Sequence, residues 1–437
     1  MAEALTLIIF CIILAVCFIL GVPLTPTLFL GFLVFCTYVL YKKFSVKELW
    51  NMVWGGIITV KNVIPVFLLI GLLTAYWRSA GTIASIVSYL SGAIQPGVIL
   101  VITFILCSVV SVLTGTSFGT VATMGIICMT MGRAMGVNPA FLGGAIMSGI
   151  YFGDRCSPIS SSAHLIADLT KTDIYDNVKL MAKDAVIPFI LVSAIYACMG
   201  LGVDAEGPGI NVREVFSREL VISPLALIPA GIILILAIFR FNVRMSMSIS
   251  LLTGAILTVI LQKREVLDVF KIALFGYSAS DSEVAVMMNG GGLLGMIDVI
   301  LVLILAGAFG GIFKGTELLS AVKRPLQRIA EKGTNFTSVF CAALGSGFIA
   351  CDQMLTILMT HQLTEDIEKD KSKLAIGMEN SAALFSAMMP WSIGNRVPLT
   401  TIGAPRTASI FAFFLYLMPI YALIVSFIKK GAKNNEC

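Results

Sequence analysis

The 437-residue chain is 58% hydrophobic and only 13% charged, with a mean hydropathy of +0.96. Soluble domains carry about 25% charged residues, so this composition excludes an ordinary soluble fold and predicts an all-α polytopic membrane protein in the lipid bilayer. The net charge of +5 is small and sits largely at the ends of apolar runs, the usual topogenic pattern, and it gives no case for a nucleic-acid partner.

Residues 4–21 and 25–41 read as an apolar helical pair across a Gly-Val-Pro-Leu-Thr-Pro turn. Glu3 precedes the first run and no Lys or Arg does, so that run is expected to be a span and not a cleaved signal peptide. Lys42, Lys43 and Lys47 follow the second run, and positive-inside bias puts that loop and the N-terminus in the cytoplasm. Residues 45–60 mix Lys, Glu and Trp with apolar positions, as an interfacial helix does. Residues 62–81 are expected to span, and 82–95 are too short to. Residues 96–113 run into Thr114-Gly115-Thr116-Ser117, and 117–136 continue beyond it. Residues 139–152 stop at Gly153-Asp154, a polar stretch extends through Lys183, and 186–203 span again.

Residues 204–219 set Asp204, Glu206, Glu214 and Glu219 against Arg213 and Arg218, with no basic excess, which suits an external loop. Spans are expected over 223–240 and 243–261. After the linker Asn289-Gly290-Gly291-Gly292, further spans are expected over 293–313, 334–350, 373–390 and 407–428. Lys314, Lys323, Arg324, Arg328 and Lys332, and later Lys429, Lys430 and Lys433, place their ends in the cytoplasm, the C-terminus included. The ten cysteines are scattered through apolar segments without a Cys-x-x-Cys pair and read as small buried hydrophobes.

The Gly/Ser/Thr-rich stretch 114–162 interrupts this pattern. In lipid an unsatisfied backbone group costs several kcal/mol, so a break is tolerated only against protein, water or a ligand. Discontinuous helices of this kind hold ions and substrates in transporters. A small-residue packing face between helices is the competing explanation. A second copy of the pattern weighs against it. IPVFLLIGLLTAYWRSAG from Ile64 resembles VILVLILAGAFGGIFKGT from Val299, an offset of 299 − 64 = 235. The same offset sets Ser117 on Asp352, and a three-residue gap then sets Pro158 on Pro390. The charge bias gives the copies opposite orientations, so two inverted-topology repeats with broken helices are expected. The chain divides accordingly into 1–60, a helical pair and interfacial helix; 61–203, the first repeat; 204–261, an external loop and connecting spans; and 262–437, the second repeat.

Asp352 and Glu379 lie in apolar or small-residue surroundings near these breaks. Ionisable groups inside a membrane domain mark ion paths or proton relays more often than not, the alternative being a carboxylate exposed at a helix end. Asp154, beside Arg155, reads equally as a structural pair, a cap or a site residue. Thr114, Gly115, Thr116, Ser117, Ser157, Gln353, Asn380, Ser381 and Asn395 complete the candidate set. Oxygens of Asp352, Thr114 and Ser117 suit a hard cation such as Na⁺, although polar helix packing explains any one of these equally well. Pro158 and Pro390 end helices. Arg396 suits an organic carboxylate or a lipid headgroup. His164 and His361 are not spaced as metal ligands, and His164 reads as a helix-end residue before a proton carrier. No nucleotide, zinc or nucleophile-elbow motif occurs, so no enzyme activity is expected.

At TGTSFGTVATMG (114–125), SGIYFGDRCSPIS (148–160), CDQMLTILM (351–359) and ENSAALFSAMMPWSIG (379–394) the chain resembles the NhaC family of Na⁺/H⁺ antiporters. The resemblance runs from about Val60 to Pro405. It implies secondary transport with Na⁺ and H⁺ as coupling ions and no cofactor. Its wider superfamily implies a scaffold domain and a moving transport domain, often in a homodimer. Some members move organic anions or amino acids. After the first Ser-Pro block the family often carries Ser-Asp-Thr-Thr-Asn, whereas this chain has Ser160-Ser161-Ser162-Ala163-His164. One expected acidic oxygen ligand is missing, which raises the weight of an organic substrate. The expectation is a multi-pass cell-membrane Na⁺/H⁺ antiporter working by alternating access. The alternative is a Na⁺- or H⁺-coupled carrier of a small organic acid or amino acid. A channel would favour a continuous polar stripe along unbroken spans.

Overall fold

The computed structural model describes residues 2–435 apart from 21, 62–63, 91–94, 159, 203–211, 240, 317–319 and 351. Helix dominates the described residues, and the β-structure among them is an isolated bridge between Tyr277 and Gly290. The polar Asp204 and Glu206 of the expected external loop fall outside the described residues.

The chain opens with α1 (Ala2–Ile19) and α2 (Leu24–Tyr41), then α3 (Val46–Val60). A capping box starts α3: Ser45 Oγ accepts the Glu48 N–H, and the Glu48 carboxylate accepts the Ser45 N–H at 2.7 Å. Its exposed Trp50 and Trp54 stack, with ring centroids 6.2 Å apart. Helices α4 (Ile64–Ser79) and α5 (Thr82–Leu90) meet at a 60° bend. Next come α6 (Ile99–Thr114), α7 (Ser117–Thr120), a π-helical turn at Val121–Gly125, α8 (Ile126–Ala134), α9 (Pro139–Arg155), α10 (Ser161–Thr170) and α11 (Ile174–Leu201). The middle of the chain holds α12 (Val212–Ser217), α13 (Ile228–Ile238), α14 (Val243–Ile260), α15 (Val266–Phe275) and α16 (Ser282–Met288). The last part holds α17 (Ile297–Thr316), α18 (Ser320–Lys332), α19 (Asn335–Ala350), α20 (Gln353–Thr364), α21 (Lys371–Glu379), α22 (Ala382–Met388), α23 (Ile393–Ile402) and α24 (Phe413–Asn435).

Among the described residues, four helical stretches are long and apolar enough to cross a bilayer: Pro96–Thr114, Ile174–Leu201, Leu294–Thr316 and Arg406–Lys430. The bent pair α4–α5 makes a fifth if counted as one span, and shorter apolar helices surround them. The protein is therefore a multi-pass, all-α membrane protein.

Three expectations change. The polar stretch through Lys183 is helical: α10 fills its first part, and α11 begins at Ile174, not at 186. Asp173 starts α11 by accepting the N–H groups of Tyr175 (2.9 Å) and Asp176 (3.1 Å), so the helix runs well beyond its apolar part. The expected span 373–390 is interrupted at Asn380-Ser381, where Ser381 has φ −135° and ψ −70°. Residues 262–288, unassigned in the sequence, carry α15 and α16.

Close backbone approach explains part of the glycine content. On α9, a Cβ at Gly153 would lie 2.3 Å from Ser111 Cβ and 2.7 Å from the Ser108 carbonyl oxygen of α6. Ser111 Oγ crosses the same interface to donate to the Ile150 carbonyl at 2.6 Å. Gly153→Ala is expected to cost about 1–3 kcal/mol, the usual penalty for overpacking. It should lower the melting temperature of the detergent-solubilised protein. An unchanged melting temperature would show that α6 and α9 can move apart freely.

Candidate ion-binding site

The site is built from helix ends. The last turn of α6 closes when the Gly115 N–H bonds the Ser111 carbonyl at 2.8 Å, with Gly115 in the left-handed region at φ 64° that a residue without Cβ adopts readily. Thr116 is extended and its hydroxyl accepts the Gly119 N–H at 3.4 Å, starting α7. The chain is thus broken at Gly115-Thr116, as the Thr-Gly-Thr-Ser sequence predicts. The second break lies between α19 and α20. There Asp352 is extended and its carboxylate accepts the N–H groups of Met354 (3.1 Å) and Leu355 (3.3 Å). Two residues after Pro158, Ser160 caps α10, and two residues after Pro390, Ser392 caps α23.

Both breaks meet at Asp154, which is 5% exposed. Its carboxylate accepts Ser160 Oγ at 3.0 Å and Ser162 Oγ at 3.4 Å, and the Ser117 backbone N–H faces it from the first break. From the second break Gln353 Nε2 donates to Asp154 at 3.4 Å and to the Ala383 carbonyl of α22 at 2.9 Å. Tyr151, one turn before Asp154, donates to the Gly394 carbonyl at 2.6 Å, and its hydroxyl also meets Ser117. The carboxylates of Asp154 and Asp352 both lie within electrostatic reach of that phenol.

Arg155 turns away from Asp154. It is 1% exposed and reaches across to α21. Its Nε donates to the Glu379 carbonyl at 3.2 Å, one terminal nitrogen bonds Asn380 Oδ1, and the other donates to the Met181 carbonyl at 3.3 Å and faces Cys156 Sγ at 3.4 Å. All these partners are neutral. Glu379 is 0% exposed, and neither of its carboxyl oxygens has a hydrogen-bond partner among the described residues. The charges of Arg155 and Asp154 both act on it. A buried carboxyl left this way is costly in a fold and is found where it has a task.

Other expected site residues serve local structure. Thr114 Oγ1 pairs with Thr120 Oγ1 at 3.0 Å, within its own segment. Ser157 donates to the Val112 carbonyl at 2.7 Å, and Ser381 to that of Gly377 at 2.7 Å. Asn395 bonds the Ala387 carbonyl and Ser409 Oγ, each at 2.8 Å, and so ties α22 to α23 and the following turn. Arg396 pairs with Asp298 at 3.3 Å, and His361 lies 3.6 Å from Glu365 on α20. His164 is exposed. Sequence reasoning missed Tyr151, Ser162 and Asp184. Asp184 Oδ2 accepts Asn380 Nδ2 at 3.4 Å, and its only sequence signal was an acid at the head of an apolar run.

Comparison with known proteins gives a consistent result. The model of the Na⁺/H⁺ antiporter family matches residues 2–162 and 149–430. The Na⁺/H⁺ antiporter NhaC of Bacillus subtilis (strain 168) is 26% identical over 443 residues, covering 98% of each chain. The malate-2H⁺/Na⁺-lactate antiporter of the same organism is 27% identical over 384 residues, covering 85% of this chain and 82% of its own length. The arginine/ornithine antiporter ArcD of Halobacterium salinarum is 26% identical over 399 residues, covering 87% and 81%. A family model that accounts for nearly the whole chain, on a helical membrane fold whose broken helices meet at buried carboxylates, settles the class: the chain belongs to the Na⁺/H⁺ antiporter family.

Proposed function

We propose that the protein exchanges Na⁺ for H⁺ across the cell membrane by alternating access. The cation is held by oxygens of Asp352, Asp154 and Ser117, and the proton is carried by Glu379. The observation that carries this reading is Glu379 itself: fully buried, unpartnered at both oxygens, and next to a buried guanidinium whose hydrogen bonds all go to neutral groups. A carboxyl so placed can take or release a proton without breaking a hydrogen bond of its own. The gain or loss of its charge changes the field at Asp154 nearby. Occupation of one site then opposes occupation of the other, which couples the two flows.

Two inverted repeats, forming a moving transport domain on a scaffold, remain the proposed architecture, and helix boundaries support it. Helices α6 and α19 share one length, since 335 − 99 and 350 − 114 both equal 236. The same spacing pairs the cap Thr116 with the cap Asp352, one residue from the pairing that sequence alignment gives. An offset of 232 then relates the starts of α9 and α21, both ends of α10 and α23, and their left-handed C-caps Lys171 and Gly403. Inversion rests on the Lys/Arg bias, which also puts both termini in the cytoplasm. In intact cells Ile210→Cys should react with an impermeant thiol reagent added outside, and Lys430→Cys should not. The reverse pattern would refute the orientation. A homodimer is an assembly that the family resemblance suggests.

A second reading has one observation in its favour. Asp352 borders a cavity of about 630 Å³ whose walls are mostly apolar side chains of α17 and α20, with Lys314 also on its lining. That volume exceeds the needs of a bare cation and fits a small organic solute. The relatives named for malate and lactate or for arginine and ornithine are consistent with it. Counterflow in proteoliposomes with Na⁺, hydroxy acids and amino acids separates the two. Na⁺-driven proton movement without any organic solute is the result expected here, and a strict requirement for one would favour the second reading.

A further inference from the structure

Glu379 has no exposed surface, so a proton must reach it through the protein. The cavity that borders Asp352 lies between α3, α17 and α20. A second cavity, of about 750 Å³, lies among α11, α19, α21 and α24, and the two share no lining residue among the described residues. Asn380 and Asp184 line this second cavity and bond each other at 3.4 Å. Asn380 follows Glu379 in the chain and also holds Arg155, whose Nε bonds the Glu379 carbonyl. Asp184 is therefore a carboxylate on a cavity wall, linked to the backbone of the buried Glu379 through Asn380 and the Arg155 guanidinium.

Among the described residues, the charged groups that line the cavity with Asp184 are Glu368, Asp370, Lys373, Lys429 and Lys430. Arg155 stands behind Asn380. Helices α6 and α10, which also pack on α11, add no charge to the lining. Asp370 caps α21 and is held below the usual carboxylate range, first by the Lys373 backbone N–H and then by the Lys373 side chain. Among the described acids of this lining, Asp184 is the one that bonds Asn380.

We propose, building on the exchange reading above, that the two coupled ions enter by separate routes: Na⁺ through the cavity at Asp352, and H⁺ through the cavity at Asp184. Asp184 is the relay to Glu379. In the inward step the O–H bond of a protonated Asp184 breaks as a proton passes along water beside Asn380, and an O–H bond forms on the Glu379 carboxylate. Asp184 is left anionic and takes its next proton from hydronium in the cavity. The outward step is the reverse, and no redox partner is involved.

The test uses the full-length protein in proteoliposomes, reading Na⁺-driven pH change and equilibrium binding of radioactive Na⁺ on the same preparation. Asp184→Asn is expected to slow proton movement at least ~10-fold with Na⁺ affinity within ~2-fold, and Asp184→Glu to restore it, since one carboxyl replaces another. In a transport-competent, Cys-depleted background, a bulky impermeant thiol reagent on Ile376→Cys should slow proton movement and spare Na⁺ binding. The same reagent on Leu358→Cys, in the other cavity, should impair Na⁺ binding. If Asp184→Asn does not fold, the Ile376→Cys block on folded protein decides. Wild-type proton flux in Asp184→Asn, or equal loss of Na⁺ binding and proton flux on blocking Ile376→Cys, overturns the separate route and leaves exchange standing. Absence of Na⁺-driven proton movement in the wild type overturns exchange, and this inference with it.

Discussion

Glu379→Gln is expected to reduce Na⁺-driven proton movement to the level of protein-free vesicles while the protein still elutes as a folded species. The substitution keeps the shape and removes the titrating group. Because both oxygens of Glu379 lack partners among the described residues, no hydrogen bond is lost on the carboxyl side. The fold should tolerate the change, and equilibrium Na⁺ binding should lose its dependence on pH. A purely structural Glu379 predicts the opposite pair of results: poorer folding, with normal pH dependence per folded molecule. Binding titrations at several pH values, normalised by size-exclusion profile, distinguish the two.

Asp154→Ala is the change with the largest expected effect on the site as a whole. It would remove the acceptor that Ser160, Ser162 and Gln353 share, and a hydrogen bond to a charged group contributes about 1.5–3 kcal/mol. The first break, α10 and the second break would lose their common anchor. Transport should vanish and the melting temperature should fall. Asp154→Asn restores hydrogen-bonding capacity without charge. It should recover most of the stability but leave Na⁺ affinity lowered at least ~10-fold, or about 1.4 kcal/mol. Recovery of both by Asn would make Asp154 a structural junction only.

Much of this site was legible because broken helices leave a chemical signature. Thr-Gly-Thr-Ser within an apolar run has few explanations in lipid, and the structure breaks at Gly115-Thr116. The caps two residues after Pro158 and Pro390 follow from the same local chemistry. What the sequence hid was partnership across the fold. Asp154 and Arg155 are neighbours in sequence, yet one serves the two breaks and the other serves α21 and α11. Adjacent residues on a helix project about 100° apart, so adjacency argues against pairing, not for it. The break at Asn380-Ser381 was legible only through the repeat, which set Glu379 near a break, whereas hydropathy read 373–390 as one span. The start of α11 was hidden because its first turns are polar, and hydropathy marks a membrane boundary rather than a helix boundary.

The four tryptophans are distributed so that light can follow these events. Trp50 and Trp54 are exposed on α3, and Trp77 is buried with its indole N–H on Ser250 Oγ at 2.9 Å. Trp391 alone stands by a break: its indole N–H donates to the Phe348 carbonyl near the end of α19, and its ring lies 5.1 Å from that of Phe348. With the other three replaced by Phe, the emission of Trp391 becomes a reporter of whether the end of α19 and the segment after α22 stay fastened. A shift in its wavelength on adding Na⁺ would time the conformational step separately from ion flux, using a fluorophore the chain already carries.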